Sequence, residues 1–296
     1  MRSSGQKWQR PGGSKDEEYY LVPALRAALT SAEARPIVHQ MVLPPGTGES
    51  SLFCALVDEL HRAYGRSGMF EVIDADAGLT SLGNADHVNA LGYTYIFGLK
   101  GNQPDLHGEA RRLLQSQARN EAAEAETPWE RREGKRIRRK LWRTAEMAGF
   151  ANSVGTWTHL RQTWLVRQET EHPNGRVAVE DRYFIASALW NYFKPEQILG
   201  LVRHHWRVEN DCFNSLDLQW REDSAPWCTR GNAILGLGLL RAMAYNLAQQ
   251  LRRRRLRRKD EDGRQAEPMS WRSLFKAIGM TLETVAGGDE VIAAVG

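Results

Sequence analysis

The sequence predicts an α/β fold in which a mixed sheet flanked by helices is interrupted by a β-rich insertion. Three observations carry this expectation. Apolar, strand-like runs alternate with amphipathic stretches between residues 52 and 117; a Trp- and Val-rich segment from 136 to 188 is built around an Asn-Gly turn; and helical periodicity returns after Pro195. With 296 residues and 42% hydrophobic content, the chain can bury a substantial core as one large domain or two modest ones.

The elements follow in order. Residues 1–18 combine Gly, Pro, Ser and charge with almost no periodicity and read as an unstructured lead-in. From Tyr19 to Leu43, two runs rich in apolar and β-branched residues, separated by "SAEAR", predict a hairpin. Leu52, Phe53, Leu56, Val57 and Leu60 recur at helical spacing and predict a helix to about Tyr64. "FEVIDADAG", residues 70–78, reads as a buried strand with Asp74 and Asp76 at its carboxyl end. A helix over 81–91 and a strand over 93–99 complete a βαβ unit with it, which implies parallel pairing, and a helix over 104–117 follows. In such sheets ligands gather at the carboxyl ends of the strands, where the two aspartates lie. Residues 118–135 are polar and mark a boundary. Pro173-Asn174-Gly175 between two strand-like runs is a hairpin signal.

Pro195 suits the first turn of a helix. Gly231-Asn232 opens a long apolar helix over 233–251, whose Arg241, Asn246 and glutamines argue for a buried helix against a membrane span. Trp271, Leu274, Phe275 and Ile278 predict a small docking helix. The expected division is a lead-in (1–18), a core (19–120 and 190–251), a β insertion (121–189) and a basic tail with the docking helix (252–296).

Charge is unevenly placed. Residues 131–140 hold seven Lys/Arg and residues 252–259 seven more, against a formal net charge of only +4, so the rest of the chain is acidic. Patches of that density suit a phosphate backbone, which rewards each neutralised charge by counterion release; a solvated face is the plain alternative. The three cysteines, Cys54, Cys212 and Cys228, are odd in number and widely spaced, which fits a reducing, intracellular setting and argues against zinc. The segment "RSSGQKWQRPGGSK" lacks the apolar core of a signal peptide.

One residue breaks a pattern. After Pro195 the apolar stripe Ile198, Leu199, Val202, Trp206, Phe213 and Leu216 runs at spacings of three, four and seven, and Glu209 falls inside it. A carboxylate buried alone costs several kcal/mol, so it needs a cation or a donor. A structural pair with Arg203, Arg207 or a Trp N–H would serve, although Arg203, Arg207 and Asp211 lie on another face. A cluster with Asp74 and Asp76 around a divalent metal would serve as well, since Mg²⁺ prefers carboxylate oxygens.

"FEVIDADAG", followed by "YTYIFGLKGNQPDL", a β insertion, "YFIASAL" and "HHWRVENDCFNSLDLQWREDSA", resembles the insertion-sequence DDE transposases over roughly residues 19–250. The resemblance implies a ribonuclease-H-like fold and Mg²⁺- or Mn²⁺-dependent cleavage and transfer of DNA, with two ions in an intact member. It implies Asp76 as the family's second aspartate, with Asp74 as its rival, and Glu209 as the helical glutamate, these being the metal ligands. Lys100, Gln103, Arg203, Arg207, the first basic run (Arg136, Arg138, Arg139) and the second (Arg252, Arg253, Arg254, Arg255) would hold phosphates of element ends and target DNA. No membrane partner is implied, and a homo-oligomer on DNA stays open. His205 stands where many members have Arg. The family's first aspartate sits on a strand before the hairpin; only Asp16 precedes it here, in unsuitable surroundings. The chain therefore reads as truncated, with little or no strand transfer expected. A non-catalytic DNA-binding relic and a ribonuclease-H-like nuclease are the alternatives.

Overall fold

The structure is a computed structural model that describes residues 7–8, 19–20, 23–44, 47–132, 134–220, 231–253 and 269–286; of 7–8, 19–20, 209–211, 231–235 and 281–286 it describes the backbone alone. The elements run β1 (Lys7–Trp8), β2 (Tyr19–Tyr20), β3 (Ala24–Ala28), β4 (Ile37–Val42), α1 (Phe53–Tyr64), β5 (Val72–Ala75), α2 (Leu82–Ala90), β6 (Thr94–Leu99) and α3 (Pro104–Asn120). There follow β7 (Ala125–Glu126), β8 (Glu130–Arg132), β9 (Lys135–Thr144), β10 (Ala151–Asn152), β11 (Gly155–Thr156), β12 (Gln162–Glu171), β13 (Val177–Ala186), α4 (Pro195–Arg207), a π-helical turn (Val208–Phe213), α5 (Asn214–Leu218), α6 (Gly231–Arg253) and α7 (Trp271–Ala286). The chain divides into two compact units: a sheet unit, Pro23–Leu25 with Met41–Arg207, and a helical unit, Met1–Val22 with Arg26–Gln40 and Val208–Gly296.

The sheet unit holds a seven-stranded mixed sheet in the order β5-β6-β13-β12-β9-β7, with β8 also on β9. β5 and β6 are parallel, as the βαβ pattern predicts, and β6 pairs antiparallel with β13. The β-rich stretch expected as an insertion thus hydrogen-bonds directly onto the βαβ core and builds the other half of one continuous sheet. Period-two alternation sorts its side chains to two faces. Leu165 pairs with both Trp142 and Tyr183, and with Phe97 and Leu99 they face α1, α2 and α3 through Val57, Val88, Leu106, Ala110 and Leu114. On the other face Ile96, Leu141, Trp164, Val166 and Phe184 pack against Ile198, Leu199 and Val202 of α4. A mixed sheet with helices on both faces agrees with the ribonuclease-H-like expectation.

Local chemistry explains the boundaries. Ser81 caps α2 by accepting from Asn84 N–H, and Pro104 opens α3 where its missing N–H costs nothing. Between β12 and β13, Gly175 takes a φ of 80°, a left-handed conformation that favours glycine, and Asn174 accepts from Arg176 N–H. Lys7–Trp8 pairs with Tyr19–Tyr20, so the lead-in is not wholly without structure. Two-residue strands are too short to carry an alternating pattern, which is why composition alone missed the pair.

The helical unit has its own core: Ile37, Cys212, Leu216, Ala242, Tyr245, Ala248, Trp271 and Leu274. Asn246 ties this core to the backbone of Ile37, donating to its carbonyl and accepting from its N–H, both at 2.8 Å. The expectation that α6 is buried needs correction. Ala242, Tyr245 and Ala248 are covered, but Leu240, Met243 and Leu247 on the other side are exposed, because the apolar run is wider than the one face its partners cover. Among the described residues no helix is long and apolar enough to cross a membrane.

Candidate active site

The carboxyl ends of β5 and β6 carry the site. β5 ends at Ala75, and Asp76 caps a short 3-10 turn, Ala77–Leu79, with its Oδ1 accepting from Ala77 N–H at 2.7 Å. The residues after β6 brace this turn. Asn102 donates to the Ala77 carbonyl at 2.7 Å, Gln103 donates to the Thr80 carbonyl at 3.1 Å, and Thr80 donates from its hydroxyl to the Gly98 carbonyl at 2.6 Å. The Leu-Lys-x-Asn-Gln segment is therefore a clamp on the aspartate's turn. Asp76 is held by its backbone while its side chain stays 67% exposed, with Lys100 Nζ 3.9 Å from Oδ1.

Gly98 sets how closely the turn approaches. A Cβ there would stand 2.9 Å from the Ala77 backbone nitrogen, so an alanine must push the turn away. Gly98→Ala is expected to cost about 1–3 kcal/mol by overpacking. Urea unfolding measures this, and a variant as stable as the parent would show that the turn yields freely.

Asp74 is placed differently. It lies within β5, opposite Ile96, and its Oδ2 is 3.0 Å from His205 Nδ1 in the last turn of α4. Both side chains are 19% exposed, and the other oxygen, Oδ1, is buried without a hydrogen-bond partner. Two carboxylates thus stand at one strand end: one outward and braced through its turn, one inward and tied to a helix.

The sequence matches the family model for the Transposase DDE domain over residues 2–247. The chain belongs to that transposase family. A search of curated proteins finds no match.

Within this transposase domain, the remaining predicted site residues scatter. Glu209 lies in the π-helical turn Val208–Phe213, where only its backbone is described. A π turn bonds i to i+5, so the 3.6-residue period that runs through Ile198, Leu199 and Val202 does not extend through residue 209. Cys212, within the turn, and Leu216, past it, belong to the core of the helical unit. Arg203 pairs with Glu130 at 2.8 Å, the Asp211 side chain lies outside the description, and Arg207 is half-buried at the end of α4.

The first basic run is a strand whose charges are largely matched across the sheet. Arg136 pairs with Glu171 at 3.0 Å, and Arg138 and Lys140 both bond Glu169, at 2.7 and 2.8 Å. Burial works against ionisation of Glu169, yet these two cations outweigh it and hold its carboxyl below the usual range. Arg136 and Arg138 also lie over the Trp129 ring. Arg139 points to the opposite face and is buried. In the second run, Arg252 donates to the Met269 carbonyl and lies 4.2 Å from the Trp271 ring centroid, joining α6 to α7; Arg253 is half-buried, and Arg254 and Arg255 fall outside the described residues. Residue-by-residue reading missed the bracing roles of Asn102 and Thr80 and, although it noted His205, the bond of that histidine to Asp74. The first is visible in the Lys-Gly-Asn-Gln motif; the other two carry no local signal, because their partners lie 18 and 131 residues away.

The donor set at the strand end fits a hard divalent cation. Asp76 offers a solvent-facing carboxylate, and such oxygens are what Mg²⁺ and Mn²⁺ take, whereas Asp74 turns inward against His205.

Proposed function

We propose that this transposase domain cleaves DNA with divalent metal held at Asp76, Asp74 being the support of the strand end and Glu209 the family's helical glutamate. The observation that carries the reading is the clamped turn that presents Asp76 to solvent at the carboxyl end of β5. Bound there, the metal would activate the attacking oxygen and stabilise the leaving one. The chain's own residues supply the rest. Asp76 offers a fixed anionic oxygen, Asn102 and Gln103 hold its turn, and His205 fixes Asp74. Lys100, three-quarters exposed, is free to swing toward a phosphate, where it positions DNA without reading its sequence.

A second reading, DNA binding without strand transfer, is favoured by one observation: the two strand-end carboxylates face apart, Asp76 toward solvent and Asp74 against His205. Nicking of supercoiled plasmid in Mg²⁺ separates the two. The first reading expects nicking by the parent chain and none by Glu209→Gln, with duplex affinity alike in both. Equal affinity without nicking in either protein would leave the second standing.

A further inference from the structure

The polarity of α6 runs opposite to that of an ordinary surface helix. Between Gly231 and Leu251 its only charged residue is Arg241, and that residue is buried at 8%, in the covered half of the helix with Ala242, Tyr245, Ala248 and Gln249. Leu239, Leu240, Met243, Leu247 and Leu251 are 41–63% exposed instead. At 3.6 residues per turn these five fall within about a third of the circumference. Gly236 lies in the same arc, exposed, and a Cβ there would meet nothing within 4 Å. The five side chains leave roughly 500 Å² of apolar surface in water, as much as the largest patch of an ordinary monomer, and no charge from 231 to 251 relieves it.

We propose that this face docks a second copy of the chain, two α6 helices packing antiparallel about a two-fold axis beside residue 245. The arc is self-complementary, as a two-fold interface requires. Residues 243 and 247, and residues 239 and 251, lie equally far on either side of 245, so Met243 of each copy meets Leu247 of the other, and Leu239 meets Leu251. Charge sets the direction. The helix ends in Arg252 and Arg253, the start of the basic run 252–259, and parallel helices would lay the two runs side by side. Antiparallel helices hold the two Arg252 residues roughly 21 Å apart along the axis at about 1.5 Å per residue, beyond the reach of unscreened repulsion at physiological salt. The area agrees as well. Two copies would bury about 1,000 Å² of apolar surface between them, which is what a specific interface must clear. The pairing needs neither DNA nor metal and does not rest on the catalytic reading.

Sedimentation equilibrium of the full chain without DNA tests this. The parent is expected to pass from one chain to two with a midpoint in the micromolar range, as suits a small interface. Met243→Lys and Leu247→Glu should each weaken the pairing about a hundredfold, because each sets a charge at its apolar centre. Both positions are exposed, so both variants should melt like the parent. Mixed in equal amounts, the two variants should pair with each other at least about tenfold more tightly than either does with itself, since the antiparallel register sets lysine against glutamate. A parent that stays a single chain at every concentration overturns the proposal, as do variants that dimerise like the parent. A mixture that associates no better than its components overturns the antiparallel register. If a monomeric parent instead sediments with vesicles containing phosphatidylserine, the face belongs to a lipid surface and the second copy falls.

Discussion

Asp76→Asn is expected to reduce Mg²⁺-dependent nicking about a thousandfold while leaving the fold as stable as the parent's. The side chain is 67% exposed, and an asparagine oxygen can still accept from Ala77 N–H, so the turn survives. What disappears is the negative charge. A metal clamp in a displacement of this kind is worth several kcal/mol, and roughly 4 kcal/mol corresponds to about three powers of ten in rate. Asp74→Asn should behave in the opposite way. Its carboxylate is tucked against His205, so the substitution costs stability by disturbing that contact, and it changes nicking by about tenfold or less. Plasmid nicking and urea unfolding of both variants decide the assignment. If the Asp74 variant were the dead one and the Asp76 variant kept its rate, the roles of the two aspartates would have to be exchanged.

Glu124→Ala should destabilise the sheet unit by about 3 kcal/mol, the lower end of what breaking a buried pair costs. Arg143 is only 6% exposed in its side chain, and Glu124 takes two bonds from its guanidinium, at 2.7 and 2.9 Å, and one from its backbone N–H at 3.0 Å. Removing the carboxylate leaves a buried cation whose remaining neighbours are the Trp190 carbonyl at 3.3 Å and the Trp190 ring, with its centroid at 4.2 Å. Those contacts keep the loss from being larger. The double variant Glu124→Ala/Arg143→Met should recover much of it, because no charge is then left without a partner. Denaturant unfolding of the three proteins reads the effect; a single-variant loss below about 0.5 kcal/mol would mean that Arg143 reaches water without difficulty.

Local pattern reached the elements and stopped at their pairing. Residues 53–64 and 104–120 are helices whose apolar residues recur at helical spacing, the Ser81 cap marks the helix at 82–90, and the Asn174-Gly175 turn and Pro195 announce their structures within a few residues. Nothing local says that β13 will bond to β6, since that ladder joins Tyr183 to Leu99, 84 residues apart in sequence, and so a continuous sheet read as a core with an insertion. The basic run misled for the same reason. Its arginines look unopposed until β12 brings Glu169 and Glu171 alongside, about thirty residues later in the chain. At the candidate site the two aspartates were legible as a pair. Their different surroundings were not, because Asp74 is distinguished by a histidine 131 residues away and Asp76 by a turn whose braces come from the end of another strand.

The π-helical turn between Trp206 and Asn214 bears on how related chains should be compared. Such a turn is, in length, an α-helix with one residue added. A relative that lacks it would need one residue fewer across this segment, and an ungapped alignment would then set its glutamate against Val208 or Asn210. The acidic residue is better matched by its own Trp-x-x-Glu-Asn context than by its distance from Pro195. A one-residue gap here marks a change of helix type and leaves the identity of the glutamate intact.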